Sequence, residues 1–393
     1  MYDVLIIGGG IAGSYLAFKL SSLGLKVLLL EQKKNTNGKE CCTGLISYEC
    51  LKLCPFDDSL VIRKFNRATL YSPSKKKLIF QRDNTQALVI DRPKFDLFLI
   101  NLAIEKGAHF YSGNKAEDIE VNDHKVMLRV DYNKHFLNFE AKVGIIANGY
   151  NSKITEKLGL GYISNIVLGA QTEVESLNHE EVEIFFGRNI APGFFGWLVP
   201  TRPNQAKVGV LTRNNPKIYL ENLLSMLTKM GKVKNTKEKC HTGGIPLTTL
   251  TQSYSNRILV VGDAAGQVKP TTGGGIFYSL ICSDIAMETL KGAFEVNNFS
   301  CQYLSQYEKK WKETLGQEIK IGYLARKIFE SFNNQMIDLA FELVKRSGVL
   351  EGLLKNEELS FDWHSKSIIN ILKNNQVAKL IGINKYLKDG DDI

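Results

Sequence analysis

Uninterrupted apolar runs mark four places along the chain where a buried strand is expected. They are Val4–Ile7, a second run that ends at Glu31, Val143–Ala147 and Ile258–Val261. Strands that are apolar on both faces are typical of parallel sheets covered by helices on each side. The pattern therefore predicts an α/β fold built around a parallel sheet.

Alternation of apolar and polar residues replaces this pattern from Ile166 to Leu211, which predicts an antiparallel sheet. Before it, Asp91 is placed as the N-cap of a helix that is expected to end at Gly107. Another helix is predicted near 217–230. From Ser300 onward the chain is mostly helical, with lysine and glutamate in near balance.

The order of these patterns predicts a discontinuous first domain that is interrupted by an inserted sheet domain. The first domain is expected to comprise residues 1–60, 87–160 and 250–298. The inserted domain is expected to comprise residues 61–86 and 161–249, followed by a C-terminal helical region at 299–393.

The turn after the first apolar run carries G-x-G-x-x-G, with glycines at Gly8, Gly10 and Gly13. A strand, this turn, a helix and a second strand that ends in an acid form the dinucleotide-binding fingerprint. Gly8 permits the tight turn, Gly10 lets a diphosphate approach the backbone, and Gly13 lets the helix pack on the strand. The helix N-terminus offers N–H groups to the diphosphate, and Glu31 is placed to accept the ribose hydroxyls. The alternative is a glycine-rich turn that binds no nucleotide.

A second glycine-rich block, Gly262–Gly266 and then Lys269–Gly275, opens a helix at Ile276. Such a loop presents backbone N–H groups to an anion. Together with the first fingerprint it predicts FAD, with Asp263 at the ribityl chain or its phosphate end. The turn Gly273–Gly275 is then expected to lie against the flavin pyrimidine, where negative charge collects on reduction. A helix-capping turn without a ligand is the alternative.

Composition and charge narrow the class of protein. The 393 residues include no apolar run close to the roughly 20 residues of a membrane span. The first strand starts at Tyr2, which leaves no room for a signal peptide, so a cytoplasmic protein with mostly reduced cysteines is expected. The net charge of +9 predicts anionic partners such as a diphosphate or an acidic membrane surface. No nucleic-acid-binding motif accompanies the basic runs, and no nucleic-acid partner is expected.

Taken together, these motifs resemble the FAD-dependent geranylgeranyl reductase family, within the p-hydroxybenzoate hydroxylase-like class of flavoproteins. The resemblance covers about residues 1–330. It rests on the two glycine-rich blocks, Asp91-Arg92, Ala147-Asn148-Gly149 with Ser152, and Pro192–Pro200. It implies a discontinuous Rossmann-type FAD-binding domain, an inserted antiparallel-sheet substrate domain and a C-terminal helical region.

The motifs and the resemblance together predict a set of site residues. Those expected to bind FAD are Gly8, Gly10, Ala12, Gly13, Glu31, Gln32, Cys42, Arg92, Asn148, Gly149, Gly262, Asp263, Gly273, Gly274, Gly275 and Ile276. The candidate catalytic residues are Cys42, Trp197 and Phe195. The substrate pocket is expected to include Phe194, Phe195, Trp197 and Pro200. No metal is expected.

Phe195 and Trp197 are separated by one residue on a predicted strand, so their side chains should share a face. That face would form an apolar wall suited to a prenyl chain, and an ordinary aromatic core strand is the alternative. The family motif Tyr-x-Trp-x-Phe-Pro is altered here, because Phe195 replaces its tyrosine and Val199 its phenylalanine. The usual Asp-Gly of the middle motif is Asn148-Gly149. These departures leave the identity of the substrate open.

Two neighbouring cysteines, Cys41 and Cys42, lie in the loop after the second strand. In the family resembled, a cysteine followed closely by glycine reaches the active site here, and Cys42 fits that position better. A metal site formed with Cys50 and Cys54 is one alternative, although the spacing is not that of a zinc ribbon or finger. Small buried apolar cysteines are the other.

The resemblance implies an FAD-dependent reductase that saturates carbon–carbon double bonds of geranylgeranyl chains in isoprenoid lipids or diphosphates. Hydride would come from the N5 atom of reduced flavin, and a proton from a donor that the sequence does not identify. Expected partners are the prenylated lipid or prenyl diphosphate, an external electron donor (NAD(P)H, ferredoxin or another) and an anionic membrane surface. The protein is therefore expected to be cytoplasmic and peripherally membrane-associated. The alternatives are an FAD-dependent monooxygenase or halogenase and a membrane-surface flavoprotein that passes electrons to quinone.

Overall fold

The computed structural model describes residues 1–34, 41–132, 134–150, 153–177, 179–234, 239–346 and 360–372. Its strands are β1 Tyr2–Ile7, β2 Val27–Glu31, β3 Leu45–Ser47, β4 Val61–Phe65, β5 Arg67–Tyr71, β6 Lys77–Gln81, β7 Ala87–Ile90, β8 His109–Ser112, β9 Lys115–Val121, β10 Val126–Tyr132, β11 His135–Ile146, β12 Ile166–Glu175, β13 Val182–Phe185, β14 Gly196–Pro200, β15 Gln205–Thr212, β16 His241–Pro246, β17 Tyr254–Ser255 and β18 Ile258–Val260. Its α-helices are α1 Ile11–Ser22, α2 Cys50–Leu53, α3 Arg92–Glu105, α4 Lys153–Lys157, α5 Pro216–Lys229, α6 Ile276–Glu295, α7 Cys301–Glu330, α8 Asn334–Arg346 and α9 Ser365–Leu372.

The first sheet brings the four predicted buried runs together as neighbouring strands. Its order is β17-β18-β11-β1-β2-β8, and β9 and β10 continue from β11 as an antiparallel meander. β1 pairs in parallel with β2 and with β11, and β11 pairs in parallel with β18. Because β11 and β18 are distant in sequence from β1, the sheet is assembled from separate segments. The predicted Rossmann-type α/β architecture is confirmed.

Side chains of β1 alternate between two cores on the two faces of this sheet. Val4 and Ile6 pack with apolar residues of α1, α3, α6 and α7. Leu5 and Ile7 pack on the other face, with apolar residues of the meander. Both sets are buried, which is why the strand reads as a continuous apolar run.

Two helices confirm the signals that predicted them. The Asp91 carboxylate accepts a hydrogen bond from the backbone N–H of Lys94 at 3.4 Å, and α3 begins at the next residue, Arg92. The chain turns after α3 at Gly107, whose φ of +94° lies in the left-handed region that glycine adopts most easily. The helix predicted near 217–230 is α5.

The second sheet has the order β16-β12-β15-β14-β13-β5-β6. Its pairs are antiparallel except β13 with β5, which run parallel. A small antiparallel sheet, β3-β7-β4, is built from strands that come before and after β5 and β6 in the chain. β4 therefore leaves the predicted inserted domain to pair with β7, whereas β5 and β6 join the large sheet as expected. The domain boundaries stay a prediction.

The strand predicted across Pro192–Pro200 is shorter than expected, because β14 begins only at Gly196. Phe194 and Phe195 lie in the turn that precedes it. The turn forms around Gly193, whose φ is +76°, and it closes with a bond from the Phe194 N–H to the Ala191 carbonyl.

The helices after residue 300 pack against both parts of the molecule. α7 begins at a Ser300 N-cap, whose side chain accepts a bond from the Tyr303 N–H at 3.3 Å. α7 packs on α6, α8 contacts β6, and α9 packs back on α7. Among the residues that the structure describes, no helix is both long and apolar enough to cross a membrane.

Candidate active site

A cavity of 1060 Å³ runs from the first glycine turn, past the cysteine loop, to the inner face of the second sheet. Most residues predicted to bind the cofactor line it. Those are Gly8, Gly10, Ala12, Glu31, Gln32, Cys42, Arg92, Asn148, Gly149, Asp263, Gly273, Gly274, Gly275 and Ile276. Tertiary structure thus brings together residues that lie far apart in the chain, from Gly8 to Ile276.

The first glycine turn leaves room for a ligand at one glycine and packs tightly at the other two. A Cβ on Gly8 would lie 2.4 Å from the Ala147 carbonyl oxygen, and one on Gly13 would lie 1.9 Å from the Gly8 carbonyl oxygen. A Cβ on Gly10 would meet no atom within 4 Å, so this backbone is open to the cavity. Gly13 does not line the cavity and acts in the packing of α1 on β1.

Glu31 stands at the end of β2 with both carboxylate oxygens held by backbone groups. Oε2 accepts the N–H of Gly9 at 2.8 Å, and Oε1 accepts the N–H of Lys33 at 2.8 Å. Each carboxylate oxygen can accept about two hydrogen bonds, so acceptor capacity remains for a ribose. The carboxylate also ties the glycine turn to β2.

The second glycine block forms a closed turn at the start of α6. The Gly273 N–H donates to the Lys269 carbonyl at 2.8 Å, and the Lys269 N–H donates to the Gly274 carbonyl at 3.1 Å. A Cβ on Gly275 would lie 2.8 Å from Oδ1 of Asp263, so this aspartate is packed directly beside the helix start. Gly262 does not line the cavity, because it packs against Ala12 of α1, where a Cβ would lie 2.9 Å from the alanine methyl.

The cavity therefore fits FAD at both ends of its glycine-lined part. Two helix N-termini, those of α1 and α6, open onto it, and each supplies N–H groups that have no partner within their own helix. Gly149 adds a further stretch of open backbone, since a Cβ there would meet nothing within 4 Å. Ser152, which belonged to the middle motif, lies outside the described residues.

The cysteine loop carries Cys42 on the cavity wall between two hydrogen-bond donors. The Cys42 sulfur is 3.4 Å from Nη1 of Arg92 and 3.4 Å from the N–H of Gly44. Arg92 is fixed in turn by Asp96, at 2.9 Å from its Nε. Arg92 was predicted only as a cofactor residue, and the structure also places it beside the cysteine.

A half-buried lysine, Lys207 of β15, holds this loop from the second sheet. Nζ of Lys207 donates to the carbonyls of Cys42 at 2.9 Å and Thr43 at 3.2 Å. Burial lowers the pKa of the Lys207 ammonium. Burial raises the pKa of the neighbouring Cys41 thiol to about 12, so this group stays protonated at neutral pH. Among the described residues, no group of three or more His, Cys, Asp or Glu side chains is arranged to hold a metal ion.

Phe195 and Trp197 line the cavity together, with ring centroids 6.1 Å apart. Trp197 fits there because its neighbour on β15 is Gly209, where a Cβ would lie 2.2 Å from the indole ring. The indole N–H is buried and has no hydrogen-bond partner among the described residues.

Two residues predicted for the substrate pocket lie elsewhere. Phe194 is 1 % exposed and packs under the guanidinium of Arg326, 4.6 Å from its ring centroid. It belongs to a small core cluster with Val167, Leu211 and Leu247 and does not line the cavity. Pro200, at the end of β14, is buried and does not line the cavity.

The structure adds cavity residues that the sequence analysis did not select. Lys269 and Asp362 form an ion pair in the wall, and Phe361 lies beside them. Arg326 of α7 donates to the carbonyls of Gly193 and Thr271. Lys269 lies inside the second glycine block, and this position could have identified it as a cavity residue. Nothing in the neighbouring sequence identifies Arg326, Phe361 or Asp362 in the same way.

Comparison with known proteins gives consistent matches along the chain. The FAD binding domain model matches residues 1–280. The chain is 30% identical over 365 residues to the digeranylgeranylglycerophospholipid reductase of Methanocaldococcus jannaschii, covering 90% of this chain and 92% of that protein. It is 29% identical over 376 residues to digeranylgeranylglycerophospholipid reductase 2 of Methanopyrus kandleri, covering 91% and 94%.

Solved structures show the same fold. A geranylgeranyl bacteriochlorophyll reductase-like protein of Thermoplasma acidophilum superposes with a TM-score of 0.86 at 24% identity, covering 98% of this chain and 99% of that one. A single-residue mutant of the halogenase PltM, in complex with FAD, superposes with a TM-score of 0.71 at 16% identity, covering 100% of this chain and 93% of that one.

Proposed function

This chain belongs to the FAD binding domain family and to the digeranylgeranylglycerophospholipid reductases, and from that premise we propose that it reduces geranylgeranyl chains of isoprenoid glycerophospholipids. It is an FAD-dependent oxidoreductase that saturates carbon–carbon double bonds. The mass gained by the lipid in the experiment below will give the number of double bonds reduced in each chain.

The observation that carries the proposal is that one cavity joins a glycine-lined part to an apolar part. The apolar part is formed by side chains on the inner face of the second sheet. They include Ala68, Leu70, Val182, Ile184, Phe195 and Trp197. A chain of isoprene units offers only apolar surface and isolated double bonds, so an apolar wall is the surface that would bind it.

The chemistry of an isolated double bond sets what the residues must do. There is no carbonyl to hold negative charge, so addition of the proton to the less substituted carbon leaves positive charge on the other carbon. When bound, reduced FAD supplies the hydride. Phe195 and Trp197 line the cavity, and an aromatic face turned to the reacting carbon would stabilise a desolvated cation by about 0.5–2 kcal/mol.

Most of the acceleration must therefore come from position. Enzymes lower barriers by about 8 kcal/mol or more, which exceeds what two aromatic rings provide. Holding the double bond at a fixed place on the apolar wall supplies the larger share. Cys42 lines the same cavity and stays the candidate for contact with the reacting carbon atoms.

The source of electrons and the approach to lipid belong to the proposal as well. One complete dinucleotide fingerprint is present in the sequence, and FAD accounts for it, so the electron donor is an external carrier. The net charge of +9 favours an anionic membrane surface, from which the lipid would enter the cavity.

The test is incubation of the dithionite-reduced protein, without oxygen, with geranylgeranylated glycerophospholipids and with geranylgeranyl diphosphate, followed by mass spectrometry. The expected result is a gain of two hydrogen atoms per double bond, with reoxidation of the flavin. Reduced free FAD with the same lipids is the control. If protein that retains FAD produces no gain on any prenyl compound, the proposal fails. Oxygen consumption with NAD(P)H would then favour the monooxygenase or halogenase alternative.

A further inference from the structure

Lys269 and Asp362 form a buried ion pair in the wall of the cavity, and the mechanism above does not use it. Nζ of Lys269 is 2.7 Å from Oδ1 of Asp362, and their side chains are 5% and 2% exposed. The same ammonium donates to the carbonyl of Phe361 at 3.0 Å. Removing two charges from water costs several kcal/mol per ion, so a pair in this place calls for a reason other than stability.

The lysine lies directly behind the turn that is predicted to face the flavin pyrimidine. A Cβ on Gly274 would come within 2.7 Å of Cε and 3.2 Å of Nζ of Lys269. Backbone hydrogen bonds from Lys269 to Gly274 and from Gly273 to Lys269 close this turn. The ammonium therefore lies next to the backbone of the turn, where its bonds to Asp362 and to the Phe361 carbonyl hold it.

The aspartate is delivered from the C-terminal part of the chain and is anchored independently of the lysine. The carbonyl of Asp362 accepts the hydroxyl of Tyr278 at 3.3 Å. Two residues later, Nδ1 of the His364 ring is 2.5 Å from the hydroxyl of Thr271. The backbone N–H of His364 donates to the carboxylate of Glu318 at 2.8 Å. The second carboxylate oxygen, Oδ2, is buried without a partner among the described residues.

We propose that this pair sets the reduction potential of bound FAD, with Lys269 favouring the reduced flavin and Asp362 opposing it. FAD takes up two electrons and one proton to give an anionic reduced form, so one negative charge is added near the Gly273–Gly275 turn. In a poorly solvated site this charge interacts strongly with fixed ions. By offsetting Lys269, Asp362 keeps the potential low and the reduced flavin a stronger hydride donor.

The charge of Lys269 also acts on His364, two residues after Asp362 in the chain. Burial is the main cause that lowers the pKa of the His364 imidazole to about 4, and the Lys269 charge is the next. The imidazole is therefore neutral near pH 7 and adds no charge to the Lys269–Asp362 pair. Asp263 and Arg326 also line this end of the cavity, and they are unchanged in the variants below. The inference rests on the FAD site of the proposed function and not on its prenyl substrate.

The test measures the potential of FAD-loaded protein by dye-coupled reduction without oxygen or lipid. Asp362→Asn should increase the ratio of reduced to oxidised flavin at a fixed potential by about tenfold or more, which equals about 30 mV for two electrons. Lys269→Met should decrease the ratio, and the double variant should return towards the parent protein. Glu342→Gln is the matched control, because it removes one carboxylate from the exposed Lys76–Glu342 pair, whose side chains are 39% and 37% exposed.

The two single variants should shift the reduction potential of bound FAD in opposite directions, which a merely structural role would not do. If both single variants keep FAD and match the control in potential, or shift it in the same direction, the proposal is wrong. If Asp362→Asn loses FAD and the double variant keeps it, charge balance is supported, whereas loss from both counts against it. Because no lipid is present, failure here is distinct from failure of prenyl reduction.

Discussion

Replacing Gly209 with alanine should displace the indole of Trp197 from the wall of the cavity. The added methyl carbon would lie 2.2 Å from Cζ2 and 2.5 Å from Cε2 of the indole, and 2.9 Å from the carbonyl oxygen of Ala170. Carbon atoms in contact lie about 3.5–4.0 Å apart, so the ring must retreat by more than about 1 Å. The change therefore acts on the apolar wall without adding a polar group.

The size of the effect follows from overpacking. Forcing one extra methyl into a filled site costs about 1–3 kcal/mol of the free energy of unfolding. Gly169→Ala on the neighbouring β12 is the matched control, because its nearest contact would be Leu211 Cδ2 at an ordinary 3.4 Å. We expect the control to change stability by less than about 0.5 kcal/mol.

Two measurements check the prediction. Urea unfolding should show the stability loss in Gly209→Ala and not in Gly169→Ala. With prenyl lipid as substrate, the displaced indole should raise KM while the flavin-to-protein ratio is unchanged. In a double-mutant cycle, Trp197→Leu should relieve part of the cost, with a coupling energy of about 1 kcal/mol or more. Equal stability and equal KM in both glycine variants would refute the packing of Trp197 on Gly209.

Three further predictions follow from individual contacts. Glu31→Ala should lower the flavin-to-protein ratio after gel filtration, because the carboxylate holds the N–H groups of Gly9 and Lys33, and Glu31→Gln should lower it less; an undiminished ratio would argue against the ribose role. Cys42→Ser should keep FAD bound and reduce turnover several-fold, whereas Cys41→Ser should not; unchanged turnover would remove Cys42 from the candidate catalytic residues. The pKa of the His364 imidazole is lowered to about 4 from an ordinary 6.5. Between these two pH values the unfolded chain binds more protons than the folded chain. The free energy of unfolding therefore falls as the pH falls through this window. Between about pH 7 and about pH 5 the parent protein should lose about 2 kcal/mol more than His364→Gln, measured by urea unfolding, and parallel pH profiles would contradict this.

Uninterrupted apolar runs were sufficient to predict the parallel sheet, and N-cap residues and terminal glycines were sufficient to predict helix bounds. The run Val4–Ile7 reads as buried on both faces, and its alternate side chains do enter two different cores. The N-cap at Asp91 and the turn at Gly107 bound α3 as predicted. The helix bounds were predictable because a cap and a turn depend on contacts within a few residues, and the strand because burial on both faces leaves a local apolar run.

The pairing of strands was less accessible. The parallel pair of β13 with β5 joins residues more than a hundred positions apart, and no alternation pattern distinguishes a parallel from an antiparallel partner. The late start of β14 places Phe194 and Phe195 in a turn, which sends one ring into the core and the other into the cavity. Alternation predicted that Phe195 and Trp197 share a side, but it gave no reason to remove Phe194 from the pocket.

The two glycine turns, the acid at Glu31 and the loop with Cys42 could be located from residue order alone, because backbone freedom and residue order at a strand–helix junction are local properties. Three contacts could be seen only in the folded molecule: Gly209 makes room for Trp197, Arg326 donates to the Thr271 carbonyl in the second glycine block, and Asp362 pairs with Lys269. Each of these contacts joins side chains from different strands or helices. Their distances are fixed by how whole elements pack, and that packing is a sum over many weak contacts that no single segment of sequence contains.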